Sequence, residues 1–307
     1  MTDVKPVATE PPQPNTRSLP RMAAGLVRTA RPRQWLKNVL VLAAPFAAGR
    51  ISDGPALLAT LVAFVAFCLA ASAIYLINDA KDVEADRAHP TKRNRPIAAG
   101  IVPVPLAMVT GTILLLAALG VSFTQNWQLV VVIAVYEAVQ LGYCFGLKHE
   151  PVIDLCIVAS GFLLRAIAGG VAAMIPLSQW FLLATAFGSL FMVSGKRYAE
   201  IRLYETTGAE IRASLRKYSS SYLRFVWATS VAIVITMYSL WAFDLHHLSR
   251  SVWSVISIVP FVIALLRYAV DVDGGKAGEP EEIVLHDRVL QVLGLGWVLS
   301  LALAFYA

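Results

Sequence analysis

The sequence is poor in charged residues. Asp, Glu, Lys and Arg make up 15% of its 307 residues, whereas a soluble domain usually contains about 25%. Hydrophobic residues make up 57% of the chain. They form runs close to the length that crosses a bilayer as a helix, about 20 residues. This composition excludes an ordinary soluble domain and favours a protein with several membrane spans.

Cysteine and histidine are scarce as well. The three cysteines, Cys68, Cys144 and Cys156, all lie in apolar runs and lack the spacing of metal ligands. The five histidines form neither a cluster nor a triad. We therefore expect the cysteines to be packing residues, and no chemistry based on histidine.

The apolar runs predict an all-α, polytopic integral membrane protein with about nine transmembrane helices. Irregular backbone cannot face lipid, so we expect helices rather than strands. Residues 1–25 are rich in proline and polar groups and lack a signal-peptide core, which predicts a disordered cytoplasmic tail before a single domain, 26–307. The predicted spans are 35–49, 55–77, 103–123, 128–146, 152–174, 179–195, 224–243, 252–270 and 288–306.

The positions of Lys and Arg predict the orientation. With the N-terminus inside, only Arg50 and Arg250 of the 26 basic residues fall in outer loops, and Arg165 lies within the fifth span. This asymmetry predicts a cytoplasmic N-terminus, cytoplasmic polar loops and an outer C-terminus. The net charge of +6 follows from this topology, so it is no argument for nucleic-acid binding.

An unusually polar stretch follows the second predicted span. Asn78, Asp79, Asp82 and Asp86 have a spacing that directs the three carboxylates towards one side of a helix end. Mg²⁺ binds one or two carboxylates together with waters and substrate phosphates, so this group is a candidate metal site. Two alternatives stay open: a solvated helix end, and ion pairs to the bases Lys81, Arg87 and Lys92.

Basic residues in the same loop, including Lys92 and Arg95, are candidates for binding phosphate groups. The alternative is that they only orient the chain and contact lipid head groups. Deeper in the predicted membrane, Arg165 and Glu137 lie at comparable depths. A charge there must be paired or functional, so a structural Glu137–Arg165 pair and a catalytic Arg165 both stay open.

Two segments resemble a known family. "NDAKDVEADRAHPTKRNRPIAAG" (78–100) is similar to the first aspartate motif of the UbiA superfamily of intramembrane prenyltransferases, and "ARPRQWLKN" (30–38) to an R-P-x-x-W-x-K-N motif of one branch. The resemblance covers about 25–306. It implies a UbiA-like helical bundle around a lipid-accessible cavity, with 26–307 as its catalytic domain.

One departure from the family pattern indicates a branch. Most members have a second aspartate motif after the sixth span, but "GKRYAEIRLYETTGAEIRASLRKYSSSY" (195–222) contains no aspartate. It offers Lys196, Arg197, Tyr198 and Glu200 instead. Together with "GLKHEPVIDL" (146–155) and "GFLLRAIAGG" (161–170), this pattern resembles the phosphoribosyltransferase branch.

The resemblance implies a function and site residues. Members of that branch transfer the 5-phosphoribosyl group of phosphoribosyl diphosphate (PRPP) to decaprenyl phosphate in the bacterial inner membrane, for cell-wall arabinan. It implies Mg²⁺ held by Asp79, Asp82 and Asp86, with Asp154 and Arg165 as further catalytic residues. The implied substrate-binding residues are Lys37, Asn38, Asn78, Lys92, Arg95, Lys148, Lys196, Arg197 and Tyr198. The partners are then PRPP, polyprenyl phosphate and membrane lipid, with a homo-oligomer left open.

Two other functions compete with this interpretation. A UbiA-type enzyme that joins an isoprenoid diphosphate to an aromatic acceptor would normally carry the second aspartate motif. A transporter would place its buried charges along an ion path. The charges here gather at one predicted membrane face, which favours the transferase.

Overall fold

A computed structural model describes residues 18–208, 215, 217–275 and 280–306. Within these ranges the chain is helical and contains no strand. The α-helices are α1 (Leu19–Ala30), α2 (Ala43–Ala47), α3 (Gly54–Lys81), α4 (Val83–Ala88), α5 (Val104–Phe123), α6 (Trp127–Cys144), α7 (Ile153–Ala172), α8 (Gln179–Thr207), α9 (Ser220–Ser249), α10 (Trp253–Ile256), α11 (Ile258–Asp273), α12 (Pro280–His286) and α13 (Arg288–Tyr306). Three 3₁₀ segments span Pro32–Leu42, Lys92–Asn94 and Leu147–His149.

The central helix of the first half is α3. Asp53 caps its start by accepting a hydrogen bond from the Ala56 backbone N–H. Its 28 residues span about 42 Å, which exceeds the roughly 30 Å of a bilayer core. One face is rich in buried alanine, for example Ala63 and Ala66, and small residues let neighbouring helices approach closely. The polar residues of the aspartate motif therefore lie at the end of a long, packed helix.

Seven helical segments of the described chain are long and apolar enough to cross a membrane, so the protein is multi-pass. They are Gly54–Lys81, Val104–Phe123, Trp127–Cys144, Ile153–Ala172, Ser220–Ser249, Trp253–Asp273 and Arg288–Tyr306. The predicted count of nine is not confirmed. The sixth predicted span belongs to α8, which continues beyond 195 into a charged segment ending at Thr207.

The first predicted span, 35–49, is not one α-helix. Pro32–Leu42 is a 3₁₀ segment, and the short α2 follows it. This irregular backbone packs against α7: a Cβ added to Gly169 would lie 1.7 Å from the Val41 carbonyl oxygen. Non-helical backbone at membrane depth is tolerated where protein buries it, and the missing side chain of Gly169 allows that contact.

The predicted tail boundary at residue 25 is wrong for its last part. Helix α1 begins at Leu19, while 1–17 lie outside the described residues. Leu26 of α1 packs with Ile97 and Val102 in a small apolar cluster. A Cβ on Gly25 would meet a Val102 methyl at 2.7 Å, so α1 lies directly against the loop before α5.

Two larger clusters form the core. One joins α3, α6 and α7, for example through Phe67, Ile133 and Ala168. The other joins α8, α9 and α11, for example through Phe191 and Trp227. Since α7 packs against both α3 and α8, it connects the two halves.

Candidate active site

Two buried carboxylates meet at the end of α3. Asp79 lies in the last turn of α3 and Asp86 in α4, and both are about 3% exposed or less. Arg95 donates from Nη1 to Asp79 Oδ1 at 3.0 Å and to Asp86 Oδ2 at 2.8 Å. Arg31 donates from Nη2 to both Asp79 oxygens, at 2.8 and 3.0 Å. One guanidinium nitrogen thus bridges two carboxylates, and a second arginine neutralises Asp79 further.

Arg31 is placed by an unusual backbone conformation. It ends α1 with φ 53° and ψ 61°, a left-handed geometry that is uncommon for a residue with a side chain. The following Pro32 starts the 3₁₀ segment, so the chain turns sharply here. The Arg31 guanidinium also lies over the Tyr75 ring, 4.6 Å from its centroid. The strained turn therefore directs Arg31 onto α3, next to Asp79.

The rest of the "ARPRQWLKN" segment is attached to α3 in reverse order. Trp35 donates its indole N–H to Ser72 Oγ at 3.0 Å. Asn38 donates to Cys68 Sγ at 3.2 Å. Trp35 is therefore held by α3 as well as by any contact with lipid, and the motif connects the aspartate end of α3 with a point about 16 Å deeper along that helix.

Asp82 has a different partner from the other two aspartates. Lys148, in the 3₁₀ turn before α7, donates to its two oxygens at 2.5 and 2.7 Å. The carboxylates of Asp79 and Asp86 share Arg95 instead. Over the residues that the structure describes, no three His, Cys, Asp or Glu side chains form a group that could hold a metal ion. The geometry thus brings together two of the three carboxylates that the spacing placed on one side.

Among the bases named as possible ion-pair partners of these aspartates, none takes that role. Arg87 pairs with Glu84 and donates to the Ala98 carbonyl. Lys81 lies over the Phe145 ring, 5.3 Å from its centroid. The aspartates do form ion pairs, as one alternative from the sequence expected. Their partners, however, are Arg31, Arg95 and Lys148.

A cavity of about 350 Å³ opens beside Asp79, between α1 and the loop before α5. Four of its lining residues are basic and one is acidic. The lining consists of Arg28, Thr29, Arg31, Asp79, Thr91, Lys92, Asn94, Arg95 and Pro96. Lys92 and Arg95, predicted to bind substrate, both line it.

Arg165 is buried, with 8% of its surface exposed, and joins three elements. It donates to Asn38 Oδ1 at 2.7 Å, to the Gly161 carbonyl at 2.5 Å and to the Tyr136 hydroxyl at 3.4 Å. Its guanidinium also lies 4.9 Å from the Phe67 ring centroid. All these partners are neutral.

The Glu137–Arg165 pair that the sequence left open is not formed between these described residues. Glu137 is buried, and its Oε1 has no hydrogen-bond partner there. The adjacent Tyr136 takes the place next to Arg165. Neighbouring residues point in different directions around a helix, so equal depth did not determine which of the two faces α7.

A second polar group lies where α7 begins and α8 approaches it. Asp154 and Arg197 are buried, and their side chains lie 3.6 Å apart between Oδ2 and Nη2. Tyr218 donates its hydroxyl to Asp154 Oδ1 at 2.5 Å and accepts the Val152 backbone N–H at 2.5 Å. Burial, and then this bond to Asp154, raise the pKa of Tyr218, so the phenol stays a proton donor.

The other predicted substrate residues are spread more widely. Tyr198 is 1% exposed, accepts a hydrogen bond from Arg224 at 2.9 Å and lies in the core of α8 and α9. Lys196 is half-buried on α8, Lys37 half-buried on the 3₁₀ segment, and Asn78 half-buried in the last turn of α3. Tyr198 thus contributes to packing, and its hydroxyl contacts the Arg224–Asp273 ion pair.

Sequence reasoning missed three residues that organise the site: Arg31, Tyr136 and Tyr218. Arg31 stands in the "ARPRQWLKN" motif, so a signal was present, although nothing in the spacing connects it with Asp79. Tyr136 lies in an apolar span and Tyr218 in a polar loop, and each segment contains other tyrosines. No local pattern marked either of them.

An aspartate motif at the end of a long membrane helix, inside an all-helical bundle, is the arrangement that the resemblance to intramembrane prenyltransferases implied. The profile of the UbiA prenyltransferase family matches residues 39–286, and the chain belongs to that family.

Curated relatives of this chain share one more specific name. The chain is 58% identical to a decaprenyl-phosphate phosphoribosyltransferase of Mycolicibacterium smegmatis, over 97% of each chain. It is 57% identical to a protein of the same name from Corynebacterium glutamicum, over 93% of this chain and 88% of the other. A UbiA homolog from Archaeoglobus fulgidus, solved bound to GPP and Mg²⁺, has the same fold, with a TM-score of 0.69 and 17% identity over 92% of this chain and 98% of the other.

Proposed function

We propose that this protein is a decaprenyl-phosphate phosphoribosyltransferase. It transfers the 5-phosphoribosyl group of PRPP to polyprenyl, specifically decaprenyl, phosphate, releases diphosphate and supplies a precursor of cell-wall arabinan. The observation that carries the proposal is identity of 56–58% over nearly the whole chain to relatives of that name. The aspartate-free 195–222 segment, with Lys196 and Arg197 in place of acids, supports it.

The charges of the site suit two anionic substrates. A PRPP molecule carries a diphosphate and a monophosphate, and the acceptor is itself a phosphate. Arg31, Arg95 and Lys148 neutralise the aspartates at the end of α3. Arginine can bind phosphate with two parallel hydrogen bonds, and lysine supplies a point charge. Exchange of an aspartate for a substrate phosphate would keep each of these cations paired.

Asp79 and Asp86 fit a divalent cation. Their oxygens lie within hydrogen-bond distance of one atom, Arg95 Nη1, so a single cation can reach both. Mg²⁺ commonly binds one or two carboxylates and completes its shell with waters and phosphate oxygens. When bound there, the ion supplies a Lewis acid for the departing diphosphate. We propose that Asp79 and Asp86 hold Mg²⁺. Asp82 would become a third ligand after its ion pair with Lys148 breaks.

The chemistry needs no base from the protein. A phosphate oxygen of the acceptor is already anionic at neutral pH, so it forms the bond to ribose C1 as the bond from C1 to diphosphate breaks. The chain's task is to hold two anions together and to stabilise positive charge at C1. We assign that stabilisation to Asp154, and the binding of phosphate groups to Lys37, Asn78, Lys92, Arg95, Lys148, Lys196 and Arg197.

Arg165 and Asn38 form the floor of the proposed site. They lie deeper along α3 than Asp79, since Asn38 contacts Cys68. Because the partners of Arg165 are neutral, its charge is available to an approaching lipid phosphate. Tyr198 is assigned to the same substrate surface only through its position next to Arg197.

The proposed arrangement places PRPP on the cytoplasmic side of the bacterial inner membrane, with the N-terminus inside and the C-terminus outside. The donor is soluble and the acceptor lipid lies in the bilayer, so a site at the mouth of the bundle meets both. Residues 26–307 form the proposed catalytic domain. A homo-oligomer is compatible with this scheme.

One assay tests the function. Purified protein receives radiolabelled PRPP, decaprenyl phosphate and Mg²⁺, and label is extracted with the lipid. We expect labelled lipid that depends on all three additions. In-line attack inverts C1, so α-PRPP should give a β-linked product, which NMR of the lipid determines. The alternative enzyme would instead join an isoprenoid diphosphate to an aromatic acceptor, and that activity without transfer from PRPP would contradict the proposal.

A further inference from the structure

The cavity beside Asp79 contains more positive charge than the aspartate can balance. Arg31 pairs with Asp79, and Arg95 pairs with both Asp79 and Asp86, so these two carboxylates balance these two arginines. Arg28 and Lys92 line the same cavity, and neither forms an ion pair with another residue in the described part of the chain. Two cations are therefore compensated and two are left, on the side of the cavity formed by α1 and the 91–96 loop.

A phosphate monoester matches this excess. It carries close to two negative charges at neutral pH and offers three strong acceptor oxygens. Arg28 and Lys92 supply the two charges, while Thr91 and Asn94 supply neutral hydrogen-bond donors in the same wall. The match involves both the net charge and the number of donors.

The wall that holds Arg28 is fixed in place. Gly25 packs against Val102, and the Thr29 hydroxyl donates to the Gly25 carbonyl at 2.9 Å. Arg28 therefore projects from a helix that is held against the loop carrying Lys92. Its own side chain is exposed, so it is accessible to a soluble ligand.

We propose that this cavity is the subsite for the 5-phosphate of the donor sugar, and that Arg28 on α1 is the residue that selects it. The inference rests on the proposed function and extends it, because it separates the sugar phosphate from the diphosphate, which lies towards Asp79 and Asp86. A donor without a phosphate at this position, such as an isoprenoid diphosphate, leaves Arg28 and Lys92 unpaired.

The acceptor lipid fits this cavity less well than the sugar phosphate. Its phosphate is attached to a long apolar chain, which needs a continuous apolar path. Among the described residues, the cavity lining contains no large apolar side chain, and Pro96 is the one nonpolar residue in it. The lipid phosphate is therefore expected elsewhere in the site.

The test uses two product-like inhibitors on the intact protein. Ribose 5-phosphate carries only the monoester, and inorganic pyrophosphate only the diphosphate. In Arg28→Ala, the inhibition constant of ribose 5-phosphate and the KM for PRPP should rise about tenfold or more, as for loss of a charged hydrogen bond. Inhibition by pyrophosphate and the KM for decaprenyl phosphate should change less than twofold. Arg28→Lys should recover part of the loss.

Arg21→Ala is the matched control, since Arg21 is an exposed arginine on the same helix outside the cavity lining. It should leave all these constants unchanged. Lys92→Ala should reproduce the selective effect from the opposite wall. Binding of ribose 5-phosphate, measured by thermal shift without turnover, gives a second readout.

Each outcome decides between the two proposals. If the wild type transfers phosphoribose but Arg28→Ala and Lys92→Ala bind ribose 5-phosphate normally, the subsite is wrong and the function stands. A rise in the KM for decaprenyl phosphate alone would assign the cavity to the lipid and also overturn the inference. If the wild type transfers nothing, yet binds ribose 5-phosphate through Arg28, the function fails and the phosphate site stands.

Discussion

At the end of α3, buried carboxylates are surrounded by arginines, whereas near the end of α8 a buried arginine lies beside the buried Asp154 and the partly exposed Glu200. In the first group, Asp79 and Asp86 receive hydrogen bonds of 2.8–3.0 Å from Arg31 and Arg95. In the second, Arg197 and Asp154 are 3.6 Å apart, and Arg197 Nη1 and Asp154 Oδ2 lack hydrogen-bond partners among the described residues. The first network is closed, and the second retains unused donors and acceptors.

This difference indicates how one fold can accommodate a different donor. If the groups at the end of α3 and near the end of α8 were both acidic, each would favour a metal ion. With an acidic group on α3 and a basic group on α8, one metal site and direct contacts from basic side chains to phosphate are favoured instead. Buried polar atoms without partners carry an energetic penalty of about 1–3 kcal/mol each. A substrate that satisfies Arg197 would remove part of that penalty, which supports the proposal that the second group contacts a substrate phosphate.

The test with the largest expected effect removes a charge from the acidic end of the site, the carboxylates at the end of α3. Asp79→Asn keeps the shape of the side chain but removes the charge that holds Arg31, Arg95 and the proposed metal. We expect turnover to fall by at least about a hundredfold, as for loss of a major electrostatic contact to a developing charge. Steady-state assays at several Mg²⁺ concentrations measure it.

Glu84→Gln is the control for that variant, because Glu84 is an exposed carboxylate of α4 that pairs only with Arg87 among the described residues. It should be close to wild type. Near-normal turnover of a folded Asp79→Asn/Asp82→Asn double variant would contradict the role of the acidic end.

The next test removes the basic end of the site, Lys196 and Arg197 on α8. In Lys196→Ala/Arg197→Ala we expect a KM for PRPP about tenfold higher, with a lower kcat if either cation contacts the transition state. Loss of Arg197 also leaves Asp154 buried without its cation, which destabilises the fold by about 3–5 kcal/mol. Assays and thermal unfolding separate the two effects.

Asp154→Asn in combination with Arg197→Met is the complementary variant. It removes both charges, so stability should largely return while activity stays low. If the Lys196/Arg197 variant kept both kinetic constants, these bases would serve membrane orientation only.

A smaller effect is expected from the residue that supports the basic end. Tyr218→Phe removes the donor to Asp154 and leaves the Val152 N–H without an acceptor, which should lower stability by about 1–3 kcal/mol. Since the pKa of Tyr218 is raised, its contribution should be complete below the ordinary tyrosine pKa of about 10 and decline as the pH rises above it.

Thermal unfolding of Tyr218→Phe and wild type across pH 7–11 measures this contribution. Tyr222→Phe is the matched control, because its ring stacks on Tyr218, 5.8 Å between centroids. A loss of stability in Tyr222→Phe equal to that in Tyr218→Phe would contradict the assigned hydrogen bonds.

The smallest effect is expected from Asp287, which lies outside both charged groups and serves as a baseline for the other variants. Asp287 precedes α13, accepts the backbone N–H groups of Val289 and Leu290, and pairs with Arg267. The hydrogen bond from Arg267 lowers the pKa of Asp287, so the pair contributes stability above the ordinary aspartate pKa of about 3.9 and loses it as the pH falls.

Asp287→Ala should therefore lower the unfolding temperature slightly at pH 7 and have no effect at low pH. The KM and kcat should not change, since the residue lies outside the proposed site. A large change in KM or kcat would show that Asp287 contributes to the site, and it could then no longer serve as a baseline.

Several features of the protein were predictable from the sequence because they depend on local composition. Long apolar runs require helices in a membrane, and Asp79, Asp82 and Asp86 lie together in the chain at the end of such a run. The absence of aspartate from 195–222 is also a local property of the sequence, and it indicated the branch. The predicted span count was less successful, because 35–49 has an apolar composition but an irregular backbone that Gly169 of α7 accommodates.

Which side chains meet was decided only by the tertiary structure. Arg31 and Asp79 are separated by 48 positions, and their contact depends on a left-handed turn at Arg31. Tyr136 rather than Glu137 faces Arg165, and Lys148 draws Asp82 away from Arg95. Local sequence limits the conformation of each helix and the charges at its ends, whereas the rotation of each helix about its own axis follows from how all its neighbours pack.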